Sequence, residues 1–234
     1  MRNSTTPRLV AIVGGSGAGK SWLTDRLQKV FGDKAVRLSL DDFYLDRSHL
    51  SRGQRAKLNY DHPRAIDWPR LEACLEDCRA GRLCRLPRYD FKTHTRSSRR
   101  EFWRPKPLVL VEGLWLLCRP TVRQLFDFSI FIDCPAWLRL RRRLARDLAE
   151  RGRSRASIQR QFRETVAPMH KLFVAPQARW ADVVLAQPFR DQEIHDLCDR
   201  LWALLTTSSL YPTWMRDVFR TETHALLKPV YLHE

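Results

Sequence analysis

The chain predicts an α/β fold: a parallel sheet with helices on both faces, a small β-hairpin insertion and a helical lid. Three observations predict it. Short runs rich in Val, Ile and Leu recur along the chain, as strands covered on both faces should read. Helical patterns separate those runs, and strands alternating with helices argue a parallel sheet. The first run opens directly into a glycine-rich segment, Gly14-Gly15-Ser16-Gly17-Ala18-Gly19-Lys20-Ser21.

The strand candidates are residues 9–13, 36–40, 108–111, 129–132 and 183–185. Helical patterns cover residues 20–31, 68–80, 121–126, 136–151, 155–169 and 191–205. Residues 84–90 with 101–104 read as a small hairpin set into that plan. No internal repeat or low-complexity linker is visible. A chain of 234 residues can bury a sizeable core, and one domain is expected over residues 1–206. Residues 207–234 are aromatic and proline-containing and read as a C-terminal extension, not a second domain.

Hydrophobic residues make up 44% and charged residues 29%, which describes a globular chain rather than a disordered one. No apolar run approaches the length of a membrane span. The segment from Met1 to Pro7 lacks the apolar core of a signal peptide. A cytoplasmic protein with free thiols is expected. Cys74 and Cys78 lie one helical turn apart and Cys84 follows. Without a C-x-x-C pair, the spacing gives no support to zinc or redox roles. The net charge is +16, from 42 Lys plus Arg against 26 Asp plus Glu. Such a balance suits nucleic acid or a polyanionic phosphate site. The arginines are spread along the chain rather than massed in a tail. That favours a phosphate site, with no specific nucleic acid and no membrane as partner.

The glycine-rich segment has the form G-x-x-x-x-G-K-S. Its glycines let the backbone turn tightly and aim N–H groups inward, and the following helix adds its positive end. Lys20 can reach β- and γ-phosphates, and the Ser21 hydroxyl can take a Mg²⁺ position. A nucleoside triphosphate, ATP or GTP, is therefore the expected ligand. The bland alternative is a Gly-rich turn with a chance lysine; the strand before it and the helix after it count against that. The guanine-reading N-K-x-D of small GTPases is absent, since the only asparagines are Asn3 and Asn59. The LSGGQ signature of ABC transporters is absent too. Small-molecule kinases remain.

The second motif is Leu38-Ser39-Leu40-Asp41-Asp42-Phe43-Tyr44. A carboxylate at a strand's carboxyl end, beside the cradle, is placed to accept a proton from an incoming hydroxyl. Asp41 is the candidate; a solvated turn or helix cap is the plainer alternative. The third is Leu108-Val109-Leu110-Val111-Glu112-Gly113, an apolar strand ending in an acid. Glu112, with Ser21 and Asp41, supplies candidate oxygens for Mg²⁺. The fourth is the arginine-rich helix over residues 139–153, where Arg139, Arg142, Arg143 and Arg146 recur along one broad face. A solvated charged face partnered by Asp147 and Glu150 is one reading of it. A mobile lid that brings guanidinium groups onto a transferring phosphate is the other.

From about residue 10 to residue 205 the chain resembles the uridine kinase family, within the larger phosphoribulokinase/uridine kinase group. Beyond the cradle, four segments carry the resemblance. Asp41-Asp42-Phe43-Tyr44 is similar to the family's Asp-x-Phe-Tyr. Residues 59–67, with Tyr60-Asp61-His62-Pro63, resemble its aromatic-Asp-His-Pro element. Tyr89-Asp90-Phe91-Lys92-Thr93-His94-Thr95-Arg96 resembles its Tyr-Asp-Phe-x-x-His-x-Arg. Residues 143–147 and 150–153 resemble its lid, with Gln161 in the expected place after it.

The resemblance implies a kinase that phosphorylates the 5′-hydroxyl of uridine and cytidine with ATP or GTP and Mg²⁺. It implies Asp41 as the base on that hydroxyl. It implies Asp61 on the ribose 2′- and 3′-hydroxyls, with Arg143 and Gln161 beside it. Tyr89, His94 and Arg153 would read the pyrimidine, Phe91 and Tyr44 would shape its pocket, and Arg146 and Arg151 would close on the phosphates. His62 would orient the Asp61 loop. A homo-oligomer, a tetramer, is also implied. One departure stands out: Trp22 occupies a position where the family has Thr or Ser. A kinase of ribulose 5-phosphate, pantothenate or a glycerate-like alcohol is the runner-up. A basic nucleic-acid-binding ATPase and a P-loop protein that only senses nucleotides are rivals of other classes.

Overall fold

The computed structural model describes residues 6–97 and 101–206. The expected extension at 207–234 lies outside them. Five strands form one parallel sheet: β1 (Arg8–Gly14), β2 (Ala35–Ser39), β3 (Leu108–Gly113), β4 (Phe128–Asp133) and β5 (Val183–Ala186). Their spatial order is β2-β3-β1-β4-β5, so β1 lies at the centre. Alternate residues of β1 feed two separate cores. Leu9, Ala11 and Val13 join Val109 and Val111 on one face; Val10 and Ile12 join Leu108, Leu110 and Ile130 on the other. That is the strand period of two expressed in a sheet with no wet face.

The helices α1 (Lys20–Phe31), α2 (Trp68–Arg79), α3 (Ala136–Arg151), α4 (Arg155–Gln161) and α5 (Asp191–Leu205) flank it. Leu23 and Leu27 of α1 and Leu197 and Leu201 of α5 fill one core; Leu71 and Leu75 of α2 fill the other. Burying each such leucine contributes roughly 1.5–3 kcal/mol. Asp67 caps α2, accepting from the Arg70 amide at 3.3 Å. No helix among the described residues is long and apolar enough to cross a membrane.

Four expectations shift. The second strand ends at Ser39, and Leu40–Phe43 forms a single 3₁₀ turn that carries Asp41. The helix expected over 121–126 is only Pro120–Arg123. The helix expected over 155–169 is α-helical only to Gln161, then widens into π turns at Phe162–Val166 and His170–Val174. A proline follows each π turn by two residues, Pro168 and Pro176: each cannot donate, and its ring crowds the carbonyl four residues back. The single expected hairpin is two small ladders. Cys84–Leu86 pairs with Glu101–Trp103, and Tyr89–Asp90 pairs with Thr95–Arg96.

Candidate active site

All five strands point their carboxyl ends at one crevice, where a doubly covered parallel sheet places its ligands. β1 leads into the glycine-rich loop, β2 into Asp41, β3 ends at Glu112-Gly113, β4 leads to α3, and β5 leads to Gln187. A cleft of about 440 Å³ opens there, bordered by Ser16, Lys20, Ser21, Asp41, Glu112 and Arg143 among others. Gly113 is required by packing. A Cβ there would stand 2.6 Å from Cβ of Leu40, in the turn that carries Asp41.

The loop has the shape of an anion cradle. Gly17 and Gly19 adopt φ of 79° and 97°, and a Cβ on Gly17 would lie 2.6 Å from the Arg139 carbonyl. Lys20 Nζ donates to the Gly14 and Gly15 carbonyls at 3.0 and 3.1 Å. Burial lowers its pKa, while Glu112 and Asp41 pull the other way. An anion in the cradle would complete that charge balance. Beside it, Ser21 Oγ donates to Glu112 Oε2 at 2.9 Å. These hard oxygens suit a Mg²⁺ ion. Arg37 also holds the Glu112 carboxylate, a partner 75 residues away that no local pattern reveals.

Asp41 faces the cleft, and burial raises its carboxyl pKa despite the neighbouring Lys20. Asp42 is instead paired with Arg88 at 3.3 Å. Both acids border the cleft; burial raises the Asp41 pKa, while Asp42 is ion-paired. Asp41 is the candidate for proton chemistry.

Beyond Asp41 lies an aromatic wall. Tyr44 packs against Tyr89 at 5.1 Å, and Phe91 sets its edge on both. Burial pushes the Tyr44 and Tyr89 hydroxyls above the usual tyrosine range, so both stay protonated. His94 holds a left-handed backbone, φ 56°, uncommon outside glycine and often a mark of ligand sites. Its ring stacks on Tyr60 at 4.2 Å, and its Nδ1 is 3.3 Å from the Tyr89 hydroxyl. Phe91 borders the cleft; Tyr89 lies behind it and pairs with His94. His62 caps the turn after Asp61, accepting from the Arg64 amide at 3.0 Å.

The arginine helix is solvated only in part, with Arg142 exposed. Arg139 and Arg143 are buried, and Asp147 is fully buried. Asp147 pairs with Arg143, Arg146 and Arg153 at 3.5, 2.8 and 3.6 Å. Arg143 reaches out of that knot to Ser16 Oγ of the cradle at 3.0 Å and to Gln161 Oε1 at 2.9 Å. Gln161 Nε2 in turn donates to Asp61 Oδ2 at 3.3 Å. Burial raises the Asp61 pKa, and Arg143 and Arg153 oppose it. Arg153 is held by Gln161 and Ser157. The Arg151 side chain falls outside the described residues.

Several residues of the site escape the sequence reading. Arg37 on Glu112 and His170 against Gly15 carry no local signature, and Tyr60, the aromatic of the 59–67 element, has no role there of its own yet stacks on His94. A Cβ on Gly15 would lie 2.8 Å from the His170 ring, whose pKa burial, Arg139 and Lys20 depress to about 4. Away from the cleft, Cys74, Cys78 and Cys84 converge with their sulfurs within 4.8 Å, although their spacing suggests no cluster. Hydrogen bonding to Cys74 and Cys84 holds the Cys78 thiol far above its usual range, and burial adds to it.

A phosphate cradle between a buried carboxylate and a knot of arginines, on a parallel sheet, defines a P-loop phosphotransferase. Comparison with known proteins narrows the class. The Phosphoribulokinase / Uridine kinase family matches residues 9–194, and the chain belongs to that family. It is 39% identical over 188 residues to a uridine kinase of Staphylococcus haemolyticus, covering 80% of this chain and 89% of that one. It is 42% identical over 182 residues to a uridine kinase of Chloroflexus aurantiacus, covering 77% and 87%. Phosphoribulokinase from Rhodobacter spheroides shares the fold, with a TM-score of 0.56 at 17% identity over 78% of this chain and 71% of that one.

Proposed function

We propose that the protein is a uridine kinase, transferring the γ-phosphate of ATP or GTP to the 5′-hydroxyl of uridine and cytidine in pyrimidine salvage. The observation that carries this reading is the chain Ser16–Arg143–Gln161–Asp61, which ties the phosphate cradle to a second carboxylate beyond Asp41. A carboxylate there suits a vicinal diol, since it can accept two hydrogen bonds. The aromatic wall suits a flat base. The relatives of about 40% identity named above are uridine kinases.

In this mechanism Asp61, with Arg143 and Gln161, holds the ribose so that its 5′-oxygen faces the γ-phosphate in line. Asp41 takes the proton from that oxygen. Lys20, Arg146 and Arg151 stabilise charge on the transferring group. Tyr89, His94 and Arg153 read the base edge, and Tyr44 and Phe91 bound it. Ser21 and Glu112, with Asp41 adjacent, would hold Mg²⁺, which supplies neutralisation of phosphate charge. Residues 1–206 form the kinase domain. The enzyme acts in the cytoplasm as a homo-oligomer, a tetramer by family likeness.

Steady-state kinetics with uridine, cytidine, 2′-deoxyuridine and a non-nucleoside alcohol test the reading. Uridine and cytidine turn over, and 2′-deoxyuridine is poor because it leaves the Asp61 carboxylate short of a donor, at roughly 1–3 kcal/mol. Turnover of only ribulose 5-phosphate, pantothenate or glycerate would overturn the acceptor and keep the kinase.

A further inference from the structure

Strand order gives the cleft two ends. Asp41 follows β2 at one edge of the sheet, Phe189 follows β5 at the other, and the cradle follows β1 between them. In-line transfer keeps the attacking and leaving oxygens on opposite sides of the moving phosphoryl group. With the acceptor on the β2 side, the body of the donor leaves the cradle toward β5.

What stands on that side is aromatic. Trp22, the third residue of α1, borders the cleft and is 41% exposed. It is stacked on Phe189, with ring centroids 5.4 Å apart and planes 24° from parallel. Phe189 reaches to 3.9 Å from where a Cβ on Gly19 would stand, so the pair abuts the cradle itself. A lone exposed tryptophan is ordinary on a surface. One braced by a second ring beside a triphosphate cradle is placed for a flat ligand. The polar groups that meet Phe189 around Gly19 are already engaged. Gln187 Nε2 donates to the Ala18 carbonyl at 3.2 Å. Arg142 donates to the Gly17 carbonyl at 3.4 Å and to Gln187 Oε1 at 3.3 Å.

We infer that Trp22, braced by Phe189, is the shelf on which the donor's purine base stacks, and that it takes adenine and guanine alike. Stacking reads a π face, which every base has, while discrimination needs hydrogen bonds to a base edge. The inference rests on the proposed use of a nucleoside triphosphate and is independent of which alcohol accepts the phosphate.

Calorimetric titration of the full chain with ATP, GTP and inorganic tripolyphosphate, without any acceptor, tests it. Wild-type protein binds ATP and GTP with affinities within about threefold of each other, because stacking is base-tolerant. Trp22→Ala weakens both by about 5- to 100-fold and leaves tripolyphosphate unchanged, while Trp22→Phe retains most of the affinity. Tripolyphosphate binding also reports that the variant is folded. Equal losses for ATP and tripolyphosphate would mean that Trp22 supports the cradle, and would overturn the shelf. So would an unchanged ATP affinity, or a loss confined to one purine. Failure of uridine to turn over would leave these binding results untouched.

Discussion

The two walls of the cleft are built in opposite ways. The phosphate cradle is one unbroken segment, residues 14–21, and apart from Lys20 the donors it offers an anion are main-chain groups set by a turn and a helix start. The facing wall, proposed to hold the acceptor, is made of side chains from residues 41–44, 60–61, 89–94 and 143–161, brought together across the sheet. A backbone cradle depends on conformation, so substitutions harm it where a Cβ or a φ value intrudes. A side-chain wall depends on charge balance, so substitutions harm it where one charge loses its counterpart.

The largest effect that tests this contrast belongs to Asp41. Asp41→Asn is expected to lower kcat by about 10²- to 10⁴-fold with nearly unchanged triphosphate binding. Asp42→Asn should be mild, because that carboxylate is engaged with Arg88. The pH profile carries the same signature. As the proposed base, Asp41 must be deprotonated, and burial raises its pKa. The acid limb of kcat therefore lies above the ordinary aspartate range, with activity falling as pH drops through it. A crippling Asp42→Asn beside a mild Asp41→Asn would move the catalytic position by one residue.

Next comes Asp147. Its removal leaves Arg143, Arg146 and Arg153 without their shared counter-charge. Asp147→Ala should destabilise by on the order of 3–5 kcal/mol in urea unfolding. Arg146→Ala, at the half-exposed edge of the knot, should lower kcat with little change in Tm. A normal turnover with a large Tm loss for Arg146→Ala would make the lid a purely structural ion-pair network.

The smallest effect belongs to His170, behind the cradle. Its folded pKa is about 4 against an ordinary 6.5, so between these values the unfolded chain binds the extra proton. Its contribution to stability is complete above pH 6.5 and is lost as pH falls toward 4. His170→Gln should flatten the fall in Tm between about pH 7 and about pH 5. An unchanged slope would assign the acid sensitivity to the carboxylates.

How much was legible follows the same division. The sheet, α1, α3 and α5 could be read because strands buried on both faces and helices with one apolar side leave local, periodic patterns. The cradle could be read because its function needs consecutive residues in a fixed turn. The π turns after Gln161 were harder, since a proline inside a helical pattern states that something gives but not how. Asp61, Tyr89 and His94 entered through likeness to a family, not through spacing.

By itself, the sequence determined a parallel α/β sheet, a phosphate cradle at residues 14–21 and an acid at the end of each of two strands. These rest on periodicity and on contacts within a few residues. Only the tertiary structure decided that Asp41 is buried at the cleft while Asp42, also at its edge, pairs with Arg88. It also placed Asp147 at the centre of the arginine knot, Arg37 on Glu112, and Trp22 against Phe189. Most of those partners stand tens to more than a hundred residues apart, and the arginines of α3 look alike in sequence. Burial and long-range pairing, which distinguish them, exist only once the chain has closed on itself.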